Sequence, residues 1–190
     1  MRQELDNLLC EKYPKMMVNR HKSMQETCMC WGFECGDGWF TILDALMGNI
    51  QHHIDWKNKQ RQWSVDHNKM AKAAKEGDFT LFNEHYDYVM SQDHKSEILA
   101  KLIQGDLREV PEEFPQVTLD QVKEKFGTLR FYYTGGDEYI SGLVAMAEAM
   151  SGVTCEVCGN PAKRVGGSWL TTLCKTHAEA RNIYDDEETM

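Results

Sequence analysis

A chain of 190 residues, 42% hydrophobic and 27% charged, has the length and make-up to bury a core, which excludes a disordered or collagen-like polymer. With 30 acidic residues against 21 basic, the formal charge of -9 disfavours unspecific binding to duplex DNA through a broadly basic surface, so any anion must be met by a local basic patch. Seven cysteines, at positions 10, 28, 30, 35, 155, 158 and 174, suit reduced thiols and a metal better than a secreted disulfide set, and the expected compartment is intracellular.

In chain order, residues 2 to 12 place Leu5, Leu8 and Leu9 on one helical face, ended by Pro14. Glu4 and Asp6 fall where a signal peptide needs apolar residues, and no later run approaches membrane-spanning length, so a soluble chain with no membrane partner is expected. Cys28, Cys30 and Cys35, with His21 upstream, match no closed metal spacing and read as small thiols among aromatic residues. Gly36 and Gly38 around Asp37 make a permissive turn, in which Asp37 is either a helix cap or a base or ligand contact. From Trp39, the residues Ile42, Leu43, Leu46, Met47, Ile50 and Ile54 recur at helical spacing.

The pattern then thins into a polar run in which Trp56, Trp63 and Met70, seven residues apart, keep one narrow apolar stripe suited to a helix against a partner. The scattered His52, His53, His67, His85 and His94 have no ligand spacing. Asp78 is placed to cap a helix carrying Phe79, Phe82, Tyr86, Val89 and Met90, and a further short helix is expected over 96–104. After Pro111 and Pro115 come two strand-like segments, 116–125 and 128–134, turning at Gly127, and then a helix behind Asp137 that Gly152 closes.

Residues 155 to 177 spell C-x2-C-x15-C-x2-H, offering the thiolates of Cys155, Cys158 and Cys174 and the imidazole of His177 to one tetrahedral ion. A Cys-x-x-Cys knuckle turns tightly enough for both sulfurs to face the same ion, a hairpin turning at Gly166 and Gly167 separates the pairs, and a helix begins at the second pair. Knuckle, hairpin and helix in that order resemble a treble-clef zinc finger. Four protein ligands leave no position for water, so the expected Zn²⁺ is structural. Lys163, Arg164, Lys175 and Arg181 make the segment locally basic, either to contact nucleic acid or to offset a centre whose three thiolates and Zn²⁺ sum to one negative charge.

QVKEKFGTLRFYYTGG concentrates cations and rings. Strand alternation turns Lys123 and Lys125 the same way, and across the turn Arg130 or Tyr132 joins them, which suits a phosphate and a base. Lys123, Lys125, Arg130 and Tyr132, with Asp37 and Trp39, are the candidate ligand-binding set; the alternative is an amphipathic hairpin with its charges toward water. No nucleophile elbow, P-loop, dinucleotide fingerprint or H-E-x-x-H occurs, which leans away from an enzyme and leaves only Asp37 or Glu34 for a hydrolase.

The expected fold is α+β: a mainly helical region over 1–110, a hairpin and helix over 111–152 packed with it as one domain, a zinc module over 153–184 and a tail over 185–190. ECGDGW, QVKEKFGTLRFYYTGG and CEVCG…GGSWLTTLCKTH together resemble a group of small, uncharacterised proteins encoded mainly by tailed bacteriophages and prophages. The resemblance spans 116–178 and, more thinly, 34–47. It implies a phage accessory protein of the anti-defence kind, at work in the bacterial cytoplasm. Sequestering an anionic nucleotide-like ligand without catalysis is the first expectation; binding nucleic acid through the zinc module, or a host protein through acidic helices, are the alternatives, with a homo-oligomer left open.

Overall fold

The computed structural model describes residues 1–86 and 91–183. The expected helix positions Val89 and Met90 and the tail over 185–190 lie outside the described residues. The fold is α+β, with helices and two small sheets. The chain divides into two compact units, one of residues 1–54 with 115 onward, the other of residues 55–114, a division that cuts across the sequence-based boundary at 110 and leaves the metal-ligand segment inside the first unit.

In the first unit, α1 (Gln3–Lys12) carries Glu4 and Asp6 in its first turn, where the helix dipole favours carboxylates. Of its three leucines only Leu9 is fully buried, and Leu8 is half exposed. The buried anchor beside Leu9 is Asp6, whose carboxylate accepts from the Phe33 N–H at 3.0 Å and the Arg20 Nε at 3.2 Å. Strand β1 (Phe33–Glu34) follows, and α2 (Phe40–Lys75) begins after a short 3-10 turn. Leu43, Met47, Ile50 and Ile54 of α2 are buried in the core at the expected helical spacing.

Strands β2 (Thr118–Lys125) and β3 (Thr128–Thr134) pair antiparallel, joined by Phe126 and Gly127, whose φ values of 55° and 80° make the two-residue turn that a twisted hairpin needs. Leu119, Val122, Leu129 and Phe131 fill the buried side of the pair. The sheet also has a third strand that sequence patterning does not reveal: β1 lies parallel to β2, Phe33 against Val122 and Glu34 against Lys123. Strand β3 forms the other edge, and its outward N–H groups are taken by the next helix, α5 (Glu138–Ser151). Ser151 Oγ accepts from Leu129 at 2.8 Å and Glu148 Oε1 from Phe131 at 3.0 Å. Asp137 caps α5 as expected, accepting from the Ile140 N–H at 3.1 Å.

In the second unit, α2 continues without a break to Lys75, where the polar stretch left the outcome open. Asp78 accepts from the Thr80 N–H at 2.9 Å and starts α3 (Thr80–Tyr86). Helix α4 (Gln92–Gln104) begins four residues earlier than expected, behind Ser91. Met70, Ala71, Ala74, Phe82 and Leu102 form the core, while Trp56 and Trp63 meet edge to face at 5.4 Å on the surface. Two asparagines of α2 act as backbone clamps. Asn58 exchanges hydrogen bonds with both the N–H and the carbonyl of Phe114, and Asn68 with those of Arg108. Among the described residues no helix is long and apolar enough to cross a membrane.

Candidate metal centre and the surface beside it

The four expected ligands meet. Strands β4 (Lys163–Val165) and β5 (Thr171–Leu173) form the intervening hairpin, and Cys174 starts α6 (Lys175–Ala180), which carries His177 in its first turn. Every pair of donor atoms lies within 4.8 Å, with Cys155 Sγ 3.5 Å from His177 Nδ1, Cys158 Sγ 3.8 Å from Cys174 Sγ, and Cys174 Sγ 3.1 Å from His177 Nδ1. None of the seven cysteines is in a disulfide, so the three thiols are available to a metal ion. Burial pushes the Cys155 thiol up, but backbone N–H groups of Cys174, Cys158 and Val157 aimed at its sulfur outweigh that and hold it at about 6. Among the described residues no other group of cysteine, histidine and carboxylate side chains converges in this way; Cys35 is buried, with its thiol pushed up to about 12, and the Cys30 thiol donates to the Thr27 carbonyl.

The centre is seated on two distant segments. Gly38 N–H donates to the Glu156 carbonyl at 2.8 Å, Gly36 N–H to Glu156 Oε1 at 2.9 Å, and the Trp39 indole N–H to the Thr154 carbonyl at 2.8 Å. A methyl group on Gly38 would fall on the Cys155 carbonyl oxygen and lie 2.7 Å from the Cys158 amide nitrogen; one on Gly36 would fall on the Glu156 carbonyl. The ECGDGW glycines are therefore present because the knuckle's backbone rests on them. On the other side, the Thr172 hydroxyl donates to the Gly127 carbonyl, and a Cβ at Gly127 would lie 3.2 Å from Arg164 Cγ.

These placements correct part of the candidate ligand set. Trp39 is 0% exposed and belongs to the core, with no ring face to offer. Asp37 caps no helix and lines no basic face: its carboxylate is taken by the Arg2 backbone N–H and guanidinium, both at 2.7 Å. Lys123, Lys125, Arg130 and Tyr132 do share one side of the β2–β3 pair, where Lys123 stands opposite Arg130 and its Nζ lies 5.6 Å from the Tyr132 ring centre. Arg130, however, spends its guanidinium on the Thr128 hydroxyl and the Leu129 carbonyl, both at 2.7 Å, with Glu148 at 3.8 Å. Glu34 adds a carboxylate next to Lys123, accepting from Gln121 at 3.2 Å.

Two exposed rings stand out beside the centre that sequence reasoning did not single out, Phe126 at the hairpin turn and Trp169 before β5, 64% and 79% exposed. The advance signal for Phe126 was a large ring next to the turn glycine Gly127, and for Trp169 a ring two residues after Gly167. No protein-family model, curated protein or solved structure matches this chain.

Proposed function

We propose that the bound ion is a structural Zn²⁺ and that the chain is a non-catalytic binder of nucleotide-like anions, engaging single-stranded nucleic acid beside the zinc module. Zn–S bonds of about 2.3 Å and Zn–N bonds of about 2.0 to 2.1 Å put the edges of a tetrahedron at about 3.8 Å between sulfurs and about 3.5 Å between sulfur and nitrogen. The 3.8 Å and 3.5 Å separations of Cys158 from Cys174 and of Cys155 from His177 fit those edges, while Cys174 and His177 at 3.1 Å lie closer than that edge. Three thiolates and one imidazole also suit zinc over harder cations. With all four positions filled by protein, the ion supplies folding energy rather than an activated water.

The observation that carries the binding reading is the junction of the β2–β3 turn with the β4–β5 hairpin. It sets Gly127, next in the chain to the exposed Phe126, against Arg164, on the hairpin whose loop presents Trp169. Protruding rings take stacked bases and the cations take phosphates, and a strand that lies across an open surface needs no enclosing pocket. Lys163 and Lys175 are exposed on the same module, so a local basic patch works against the overall charge of -9. Within the resemblance to phage proteins, such a binder would withdraw a nucleic acid or nucleotide signal from the host.

Fluorescence anisotropy with short labelled DNA and RNA strands over a salt series tests this. Stacking contributes about 1 to 3 kcal/mol per base and 1.4 kcal/mol is tenfold, so Trp169→Ala and Phe126→Ala should each weaken binding about tenfold. Arg164→Ala should lower the salt slope by about 0.7, the contribution of one phosphate contact on a single strand. The strand should be recovered intact. Absence of binding at low salt, indifference to both ring substitutions, or a cleaved strand would each overturn the reading.

A further inference from the structure

Within residues 55–114, α2, α3 and the segment around Arg108 line an open cavity of about 620 Å³. Its wall combines cations, rings and carboxylates. His67 lines it between them. Lys69 and Arg108 line the same cavity, and among the described residues neither takes part in an ion pair. The Asn68 clamp holds Arg108 by its backbone N–H and carbonyl, which leaves the guanidinium uncommitted. Trp63 and Tyr86 contribute rings, and Asp66 and Glu84 contribute acceptors.

We propose that this cavity binds a nucleoside monophosphate, with the phosphate on Lys69 and Arg108 and the base against the Trp63 and Tyr86 rings. Three points select that class. The volume falls within the roughly 300 to 1,000 Å³ of small-molecule sites and is far larger than inorganic phosphate needs. An arginine fork and a lysine meet a phosphate's oxygens, while rings take a planar base. Asp66 and Glu84 would repel a simple aromatic acid, but they accept from ribose hydroxyls and exocyclic amines, donors that a nucleoside has. Burial, and after it the Arg108 charge, lowers the His67 pKa, so at neutral pH the ring is uncharged and leaves the phosphate to Lys69 and Arg108. This site uses none of the residues of the strand-binding surface and stands or falls apart from it.

Isothermal titration of the zinc-loaded full chain with AMP, adenosine and inorganic phosphate is the test, with GMP, CMP and UMP alongside. At least one monophosphate should bind, and its nucleoside and inorganic phosphate should each bind at least tenfold more weakly. Arg108→Ala and Lys69→Ala should each cost about tenfold or more, while Trp169→Ala, which removes the proposed strand contact, should leave the affinity unchanged. Lys69 is an exposed helix residue, so its variant keeps the test meaningful if Arg108→Ala loosens the fold, which its melting curve reports. No binding of any of the four monophosphates at millimolar concentration would overturn the proposal. So would equal affinity in both cation variants, or a loss of binding with Trp169→Ala instead.

Discussion

Residues 155–177 and residues 55–114 meet the same difficulty, too little apolar surface, with different resources. The first segment buries little beyond Val165 and Leu173 around Cys155, with Ala178 just after it. It brings four candidate ligand side chains together and lays its backbone directly on Gly36, Gly38 and Gly127. The second has a modest helical core around Met70, Phe82 and Leu102 and ties its returning chain down with the side chains of Asn58 and Asn68. Small cores need a supplement. A metal bound at the four candidate ligands would supply it in one cooperative step that fails as a whole, whereas amide clamps supply it in independent increments.

Removing the metal is the sharpest way to break that contrast. Structural zinc contributes about 10 to 16 kcal/mol in small zinc-dependent folds, so a chelator should unfold 155–177 outright. Because Glu156 and Thr154 bond to Gly36, Gly38 and Trp39, hydrogen exchange should show residues 36–39 losing protection together with the ligand segment, while amides of 55–114 keep theirs. Protection persisting at 36–39 would show that the two segments are not one cooperative unit. Next in size, Gly38→Ala should cost about 3 kcal/mol or more in urea unfolding, since the knuckle backbone cannot yield to the added methyl. A wild-type midpoint would refute the close approach. The smallest effect is expected from Asn68→Ala, about 1 to 2 kcal/mol for two lost backbone contacts, read as faster amide exchange around Arg108 with no change in metal content.

What the sequence discloses follows the distance over which each feature is encoded. The metal ligands were legible because two-residue spacings are local geometry, and Asp78 and Asp137 were legible because a cap acts on an N–H two or three residues away. The hairpin turn at Gly127 was visible for the same reason. Strand β1 was not, since two residues that pair with Val122 and Lys123 leave no periodicity to read. The purpose of Gly36 and Gly38 was misassigned to Asp37 between them, because the atoms that forbid a side chain there belong to residues 155 to 159. Arg130 was counted as available because nothing in a strand pattern tells that its guanidinium turns back onto its own backbone and toward Glu148.

The seat of the knuckle on ECGDGW also sets a clock. Gly36 and Glu156 are 120 residues apart in the chain, and at about 5 to 20 residues per second a ribosome takes about 6 to 24 s to make the intervening polypeptide. Helices such as α2 form in about a microsecond once free of the tunnel, so throughout that interval secondary structure runs far ahead of its tertiary cover. Trp39, fully buried in the finished fold, waits beside two bare glycines for a partner not yet translated. The first third of the chain is thus made early and completed late, and with a metal at residues 155–177 as proposed, its supply would govern when that unpaired surface disappears.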